Sequence, residues 1–337
     1  MAIYIGTPIA TIAILIALFW ISRILCGKNS NPSSTGTPPR LIEFSMEELR
    51  QATNNFDMAN TIGLGSYGVV YTGLIGDKIV VIKREWCGLQ PRFLAEVYTE
   101  NFVDFIGNNL CICDILWYVS QVSYMSKIQH RNLVNLLGYC CDDENQLLVF
   151  EYMVNGSVRD YLDASRDLTF KKRISIALDA AKGLLHLHNL DPPVQHKRFT
   201  TSKVLLDADL NAKVSDPGML GLLEARDLRL VNPRGGLAET IDVFSFGLFL
   251  LELITGEKPD VFESNEEIVQ WILPRMFTRS SFKPYMKITL ECLNYPAIDR
   301  PKMDVVVTEL ETIYQNEVFS EDRGVALGSE LFNITIE

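Results

Sequence analysis

The chain has 337 residues, 47% hydrophobic and 22% charged, with a formal net charge of −11. That mix excludes a disordered chain and is long enough for one large core or two lobes. The acidic balance, with no basic stripe, argues against nucleic acid as the main partner, because phosphate binding needs clustered Lys and Arg.

No charged residue occurs from Ile3 to Ser22. About 20 such residues at roughly 1.5 Å each span a hydrocarbon layer. Arg23 and Lys28 follow directly and nothing basic precedes, so the positive-inside rule puts the rest of the chain in the cytoplasm. A cleaved signal peptide would want a charged start and a small-residue cleavage site, and neither is evident. Residues 1–26 therefore read as a transmembrane anchor of a single-pass membrane protein, most naturally in the plasma membrane, with Cys26 placed for palmitoylation. Seven Cys, an odd number without framework or zinc spacing, read as reduced thiols.

Residues 27–43 begin with a polar Pro/Ser/Thr run and form a linker. Ser45 and Glu48 then make a capping box that starts a short helix running to about Thr53. The next block is rich in strands. Gly63, Gly65, Gly68 and Val70 spell G-x-G-x-x-G-x-V, where glycines let backbone N–H groups approach phosphates. Alone that is a weak signal. Val80-Val81-Ile82-Lys83 follows, a β-branched strand ending in a Lys placed for nucleotide phosphates and for a helix Glu, here Glu96. Leu136–Cys140 and Leu147–Met153 read as paired strands running into a hinge. Helical spacing appears from Ile174 to His188, and Asp242–Leu253 is apolar nearly all round, a buried central helix closed by Thr255-Gly256.

Between the first of these helices and the central one lies Val194–Asp207, with His196, Arg198 and Lys203 at the spacing of H-R-D-x-x-x-x-N. That pattern needs an Asp to accept the substrate hydroxyl proton and an Asn to hold a metal. Arg198 and Lys203 occupy those two places, and neither guanidinium nor ammonium can do the work.

In this order the motifs make the chain resemble a plant receptor-like kinase of the interleukin-receptor-associated-kinase/Pelle type. The resemblance covers roughly residues 44–315, and Asp299-Arg300-Pro301 with Met303 extends it late into the chain. It implies an α+β fold with two lobes, a β-rich first lobe and a helical second, over residues 44–317, followed by a tail at 318–337. It implies a nucleotide site at Gly63, Gly65, Gly68, Val70, Val81, Lys83, Glu151, Met153 and Leu205. Asp216, in Asp-Pro-Gly where D-F-G belongs, would be the metal ligand. His196, Asp242 and Arg300 would be structural, Asp242 bracing the catalytic-loop backbone from a helix N-terminus.

The departures from that family decide the expected function. Losing a general base costs typically about 10²–10⁴-fold, and the cations at 198 and 203 also repel Mg²⁺. Pro217 cannot fill an aromatic slot, and no A-P-E occurs between Gly218 and Asp242, which leaves Arg300 without its usual Glu. Val81 crowds the adenine position where relatives carry Ala, so ATP binding stays open and Mg²⁺ binding is disfavoured. Lys203 could instead neutralise phosphate directly without Mg²⁺. Residues 98–122 fit no element of the family and read as a retained intron, the alternative being a genuine insertion. The expectation is a membrane-anchored pseudokinase that scaffolds other kinases or receptor complexes, with no catalytic residues. The alternative is an active, divergent serine/threonine kinase acting on protein substrates.

Overall fold

The computed structural model describes residues 41–65, 68–85, 122, 125–141, 145–164, 166–191, 193–216, 236–257 and 281–322. The apolar run at Ile3–Ser22, Glu96, Pro217 and the segment 98–121 lie outside these residues. Among the described residues no helix is long and apolar enough to cross a membrane.

The first half is built on one sheet. Its strands are β1 (Ile42–Glu43), β2 (Thr61–Gly65), β3 (Gly68–Ile75), β4 (Lys78–Glu85), β5 (Leu136–Cys141) and β6 (Gln146–Glu151). Their order is β1-β5-β6-β4-β3-β2, antiparallel throughout except for the parallel β1–β5 edge. Period-two alternation gives this sheet two different faces. Val80, Ile82, Leu147, Val149 and Cys140 point to one side, where Leu49 covers them, and Val81, Leu148 and Phe150 point to the other.

Leu49 belongs to helix α1 (Met46–Ala52), which starts as its capping box dictates. Ser45 Oγ accepts from the Glu48 N–H at 3.3 Å, and Glu48 Oε2 accepts from the Ser45 N–H at 2.7 Å. The linker's last residues join the sheet: Ile42 and Glu43 pair with Gly138 and Tyr139.

The second half is mainly helical. Helices α2 (Val158–Asp163) and α3 (Phe170–His188) lead to a small hairpin, β7 (Val204–Leu206) and β8 (Ala212–Val214). Helices α4 (Gly236–Thr255), α5 (Phe282–Cys292) and α6 (Met303–Asp322) follow, the last running past the boundary at 317. Helix α3 buries Ile174, Ala177, Ala181, Leu184 and Leu187, and α4 buries Phe246, Phe249, Leu250 and Leu253, in one continuous core. Full burial of each such side chain contributes about 1.5–3 kcal/mol. Gly183 lets α3 approach closely, because a Cβ there would sit 2.7 Å from the Asn132 carbonyl oxygen. Thr255 ends α4, and Gly256 at φ +79° donates its N–H to the Glu252 carbonyl.

Candidate functional site

The cleft-facing side of the sheet carries the residues expected to meet a nucleotide. Gly68, at φ +150°, opens β3 in a conformation that side chains rarely adopt, and it pairs back to Gly65. Gly63 has no such constraint, since a Cβ there would make only ordinary contact with Val70. Across the β3–β4 ladder Val70 is register partner to Lys83, two residues beyond Val81 and therefore on the same face. Val81, Met153 and Leu205 join Val122, Met125, Val134, Leu148 and Phe150 in one apolar cluster. Sheet, hinge and the β7–β8 hairpin thus contribute to a single apolar seat.

Glu151 does something else. Its Oε1 accepts from the Asn135 N–H at 2.8 Å and from Lys213 Nζ at 2.7 Å. The carboxylate fastens the hinge to Asn135, just before β5, and to Lys213 on β8. Lys213, half-buried on β8, was not foreseen, because nothing in its local pattern announces the pairing.

The loop holding Arg198 is built around Asp242, which is fully buried. Asp242 Oδ2 accepts the His196 N–H at 2.8 Å and Oδ1 the Lys197 N–H at 2.7 Å. His188 Nε2 lies 2.9 Å from Oδ2. These bonds hold Lys197 at φ +65°, a left-handed conformation uncommon for a residue with a side chain. Helix α4 begins at Gly236, so Asp242 acts from its second turn, and not from the helix N-terminus as the sequence suggests.

His196 Nε2 lies 2.8 Å from the Ser215 carbonyl and donates to it, leaving Nδ1 buried without a partner. Burial pushes the imidazole below its ordinary range despite that bond, which favours the neutral ring. Phe199, buried, fixes the other side of the loop with ring centroids 5.8 Å from Phe246 and 5.3 Å from Phe249. Thr201 Oγ1 donates to Glu252 Oε1 at 2.7 Å, and Arg159 pairs with the same oxygen at 2.7 Å. The Arg198 side chain itself is exposed.

Asp216 is where the loop meets the sheet. Its Oδ2 accepts from Lys203 Nζ at 2.5 Å, and Lys83 Nζ lies 3.6 Å from Oδ1. Burial alone would raise this carboxyl, but Lys83 and Lys203 outweigh it and hold the group below the usual carboxylate value. Each carboxylate oxygen therefore already faces an ammonium. A hard divalent ion wants several oxygen donors, and among the described residues no cluster of three or more His, Cys, Asp or Glu could hold one. The described ion pairs of Asp216, the residue expected to ligate a metal, are with Lys83 and Lys203.

Arg300 has found other acceptors. Its Nη1 donates to the Thr240 carbonyl and its Nε to the Asn294 carbonyl, both at 2.9 Å, and the guanidinium lies 4.7 Å from the Phe244 ring centroid.

Residues 115–310 match a family model described as protein tyrosine and serine/threonine kinase. The match begins inside the segment set apart as an insertion, and Val122 at its end is buried in the cleft cluster. A probable leucine-rich repeat receptor-like protein kinase of Arabidopsis thaliana is 31% identical over 340 residues, covering 87% of this chain and 34% of that protein. The probable serine/threonine-protein kinase PBL9 of Arabidopsis thaliana is 32% identical over 314 residues, covering 82% of this chain and 74% of that protein. The chain thus spans about a third of the length of the leucine-rich repeat relative. Among solved structures, an apo pseudokinase covers 85% of this chain, and 99% of itself, with a TM-score of 0.61 at 22% identity, a likeness of fold.

Proposed function

The chain belongs to the protein tyrosine and serine/threonine kinase family, in its plant receptor-like branch, and from that premise we propose that it is a pseudokinase. The observation that carries this reading is the Lys203 ammonium on Asp216 Oδ2 at 2.5 Å. Phosphoryl transfer in this family depends on positioning and on cationic stabilisation by metal ions that bridge the phosphates. Here the surviving acidic group is neutralised from within the chain. The place of the base holds Arg198, whose guanidinium stays protonated and cannot accept a hydroxyl proton. What remains well built is the frame: Asp242, Phe199 and the Thr201–Glu252–Arg159 network hold a catalytic-type loop in shape without its reactive atoms.

A folded frame lacking chemistry suits a scaffold. In this reading residues 1–26 anchor the protein in the membrane by one span, the kinase-like domain lies in the cytoplasm, and its partners are other kinases or receptor complexes. Incubating the purified full-length chain with radiolabelled ATP and a generic protein substrate tests the first part. No incorporation above background is expected. The alternative, an active divergent serine/threonine kinase, draws on the retained Lys83–Asp216 pair at 3.6 Å. Label that appears at enzymatic rates and disappears in Lys83→Ala would establish it.

A further inference from the structure

We propose that the stacked imidazoles of His130 and His186 form a proton-operated latch on the seam between the sheet and the helical half. Their ring centroids lie 4.7 Å apart, with the planes at 16°. One ring sits on the loop before β5 and the other near the end of α3. The proposal stands apart from the pseudokinase reading, because neither ring belongs to the catalytic-type loop.

Both rings are placed to be neutral. His130 Nδ1 accepts the Asn132 N–H at 3.2 Å, which requires that nitrogen to carry no proton. A proton there would set two N–H donors against each other, and Asn132 is buried. His186 Nε2 is buried with no hydrogen-bond partner among the described residues, so a proton on it meets no acceptor. The surrounding charges do not favour a cation either. Arg131 adjoins His130, and Lys182 lies one helical turn before His186. The acidic groups nearby are engaged: Glu311 of α6 pairs with Lys182 at 2.7 Å, and Asp179 of α3 accepts the Ala212 N–H at 3.2 Å. Burial first, then His186, Arg131 and Lys182, hold the His130 imidazole below its ordinary 6.5, and burial does the same for His186. The neutral stack therefore stabilises the closed seam fully above pH 6.5, and that contribution is lost as pH falls through the lowered folded values. Two imidazoliums at stacking distance then repel each other.

The loop that such a proton would release ties the two halves together. The Asn132 carbonyl accepts the Val214 N–H at 2.8 Å, and the Val214 carbonyl accepts the Val134 N–H at 2.9 Å. Asn132 Nδ2 adds a bond to the Ala212 carbonyl at 3.2 Å. All three bonds join this loop to β8. That strand runs on into Ser215, whose N–H donates to the Lys203 carbonyl at 2.8 Å and whose carbonyl accepts from His196. Opening the stack thus loosens β8 and, through Ser215, the loop that carries Arg198.

The test is amide hydrogen exchange on the full-length chain, read by mass spectrometry at pH 7.5 and 5.5 and corrected for the intrinsic chemical rate at each pH. Peptides spanning 128–136, 182–190 and 212–216 should lose protection at pH 5.5 by about tenfold, the factor by which one freed imidazole of ordinary pKa favours opening a pH unit below it. Peptides from α1 and α5 should keep their protection. His186→Phe keeps a flat ring in the stack but takes up no proton, so its response should be smaller. The double variant His130→Phe/His186→Phe should show none, although His188 and His196, the other two of the four His, still titrate. Unchanged protection of the three segments in the natural chain overturns the proposal whichever variants fold. A loss spread evenly over every peptide also overturns it, because that pattern reports global unfolding. A full local response in a folded double variant does the same.

Discussion

Replacing Asp242 with Asn keeps the size of the side chain and changes its hydrogen-bonding sense. The carboxylate now serves two backbone N–H groups, of His196 and Lys197, at 2.8 and 2.7 Å. An amide has one oxygen, so one of those N–H groups would face an NH₂ in a fully buried place. The loss of one charge-assisted bond, about 1.5–3 kcal/mol, adds to the cost of a stranded buried donor, about 1–3 kcal/mol. Relaxing Lys197 from its left-handed φ of +65° returns roughly 1–2 kcal/mol. The net expectation is a destabilisation centred on about 3 kcal/mol, worked from those three magnitudes. Urea unfolding followed by far-ultraviolet circular dichroism should show it as a lower midpoint at unchanged slope. A double-mutant cycle with His188→Gln should show non-additivity, since His188 Nε2 lies on the same carboxylate at 2.9 Å. A change below about 0.5 kcal/mol, the surface range, would mean that Asp242 does not organise the loop.

Phe199→Ala empties the space between Phe246 and Phe249 and should cost about 3–5 kcal/mol in the same unfolding experiment, with Phe199→Leu recovering most of it. Gly183→Ala places a methyl 2.7 Å from the Asn132 carbonyl, an overpacking expected to cost about 1–3 kcal/mol and to lower the melting temperature. Ser45→Ala removes the acceptor of the α1 cap and should cost about 1 kcal/mol. The pH response has a defined sign. His130, His186 and His196 are each held below the ordinary value of 6.5, chiefly by burial. Below that value the unfolded chain takes up protons that the folded one resists, so their contribution is complete above pH 6.5 and lost as pH falls through the folded values. Asp179, raised by burial, acts in the opposite direction near the carboxylate range. Melting temperatures at pH 7.5 and 5.5 should therefore differ, lower at 5.5, and His130→Gln should narrow the gap. A flat profile would count against buried neutral imidazoles.

Much of the fold is legible because its signals are local. The capping box at Ser45 and Glu48 sets α1, and the β-branched run Val80-Val81-Ile82 marks β4. Apolar residues all round α4 mark a buried helix. What escapes is anything decided by pairing across the chain. Glu151 reads as a nucleotide residue from its motif, yet Lys213, 62 positions away, claims its carboxylate. His188 and Asp242 are 54 apart, and no spacing rule connects them. The edge strand at Ile42–Glu43 was hidden by its place after a Pro-rich linker, since two residues are too few to show alternation. The cations at 198 and 203 were visible as a change of charge, but their sequence could not say that Lys203 would be seated on Asp216.

That seating bears on how the proposed pseudokinase state could be reversed by substitution. Lys203→Asn would release Asp216 and leave Arg198 without proton-accepting ability, while Arg198→Asp would add a base beside a carboxylate still clamped by an ammonium. In the proposed reading neither step alone supplies both a base and an unclamped acidic group, so a return to phosphoryl transfer would require the two changes together.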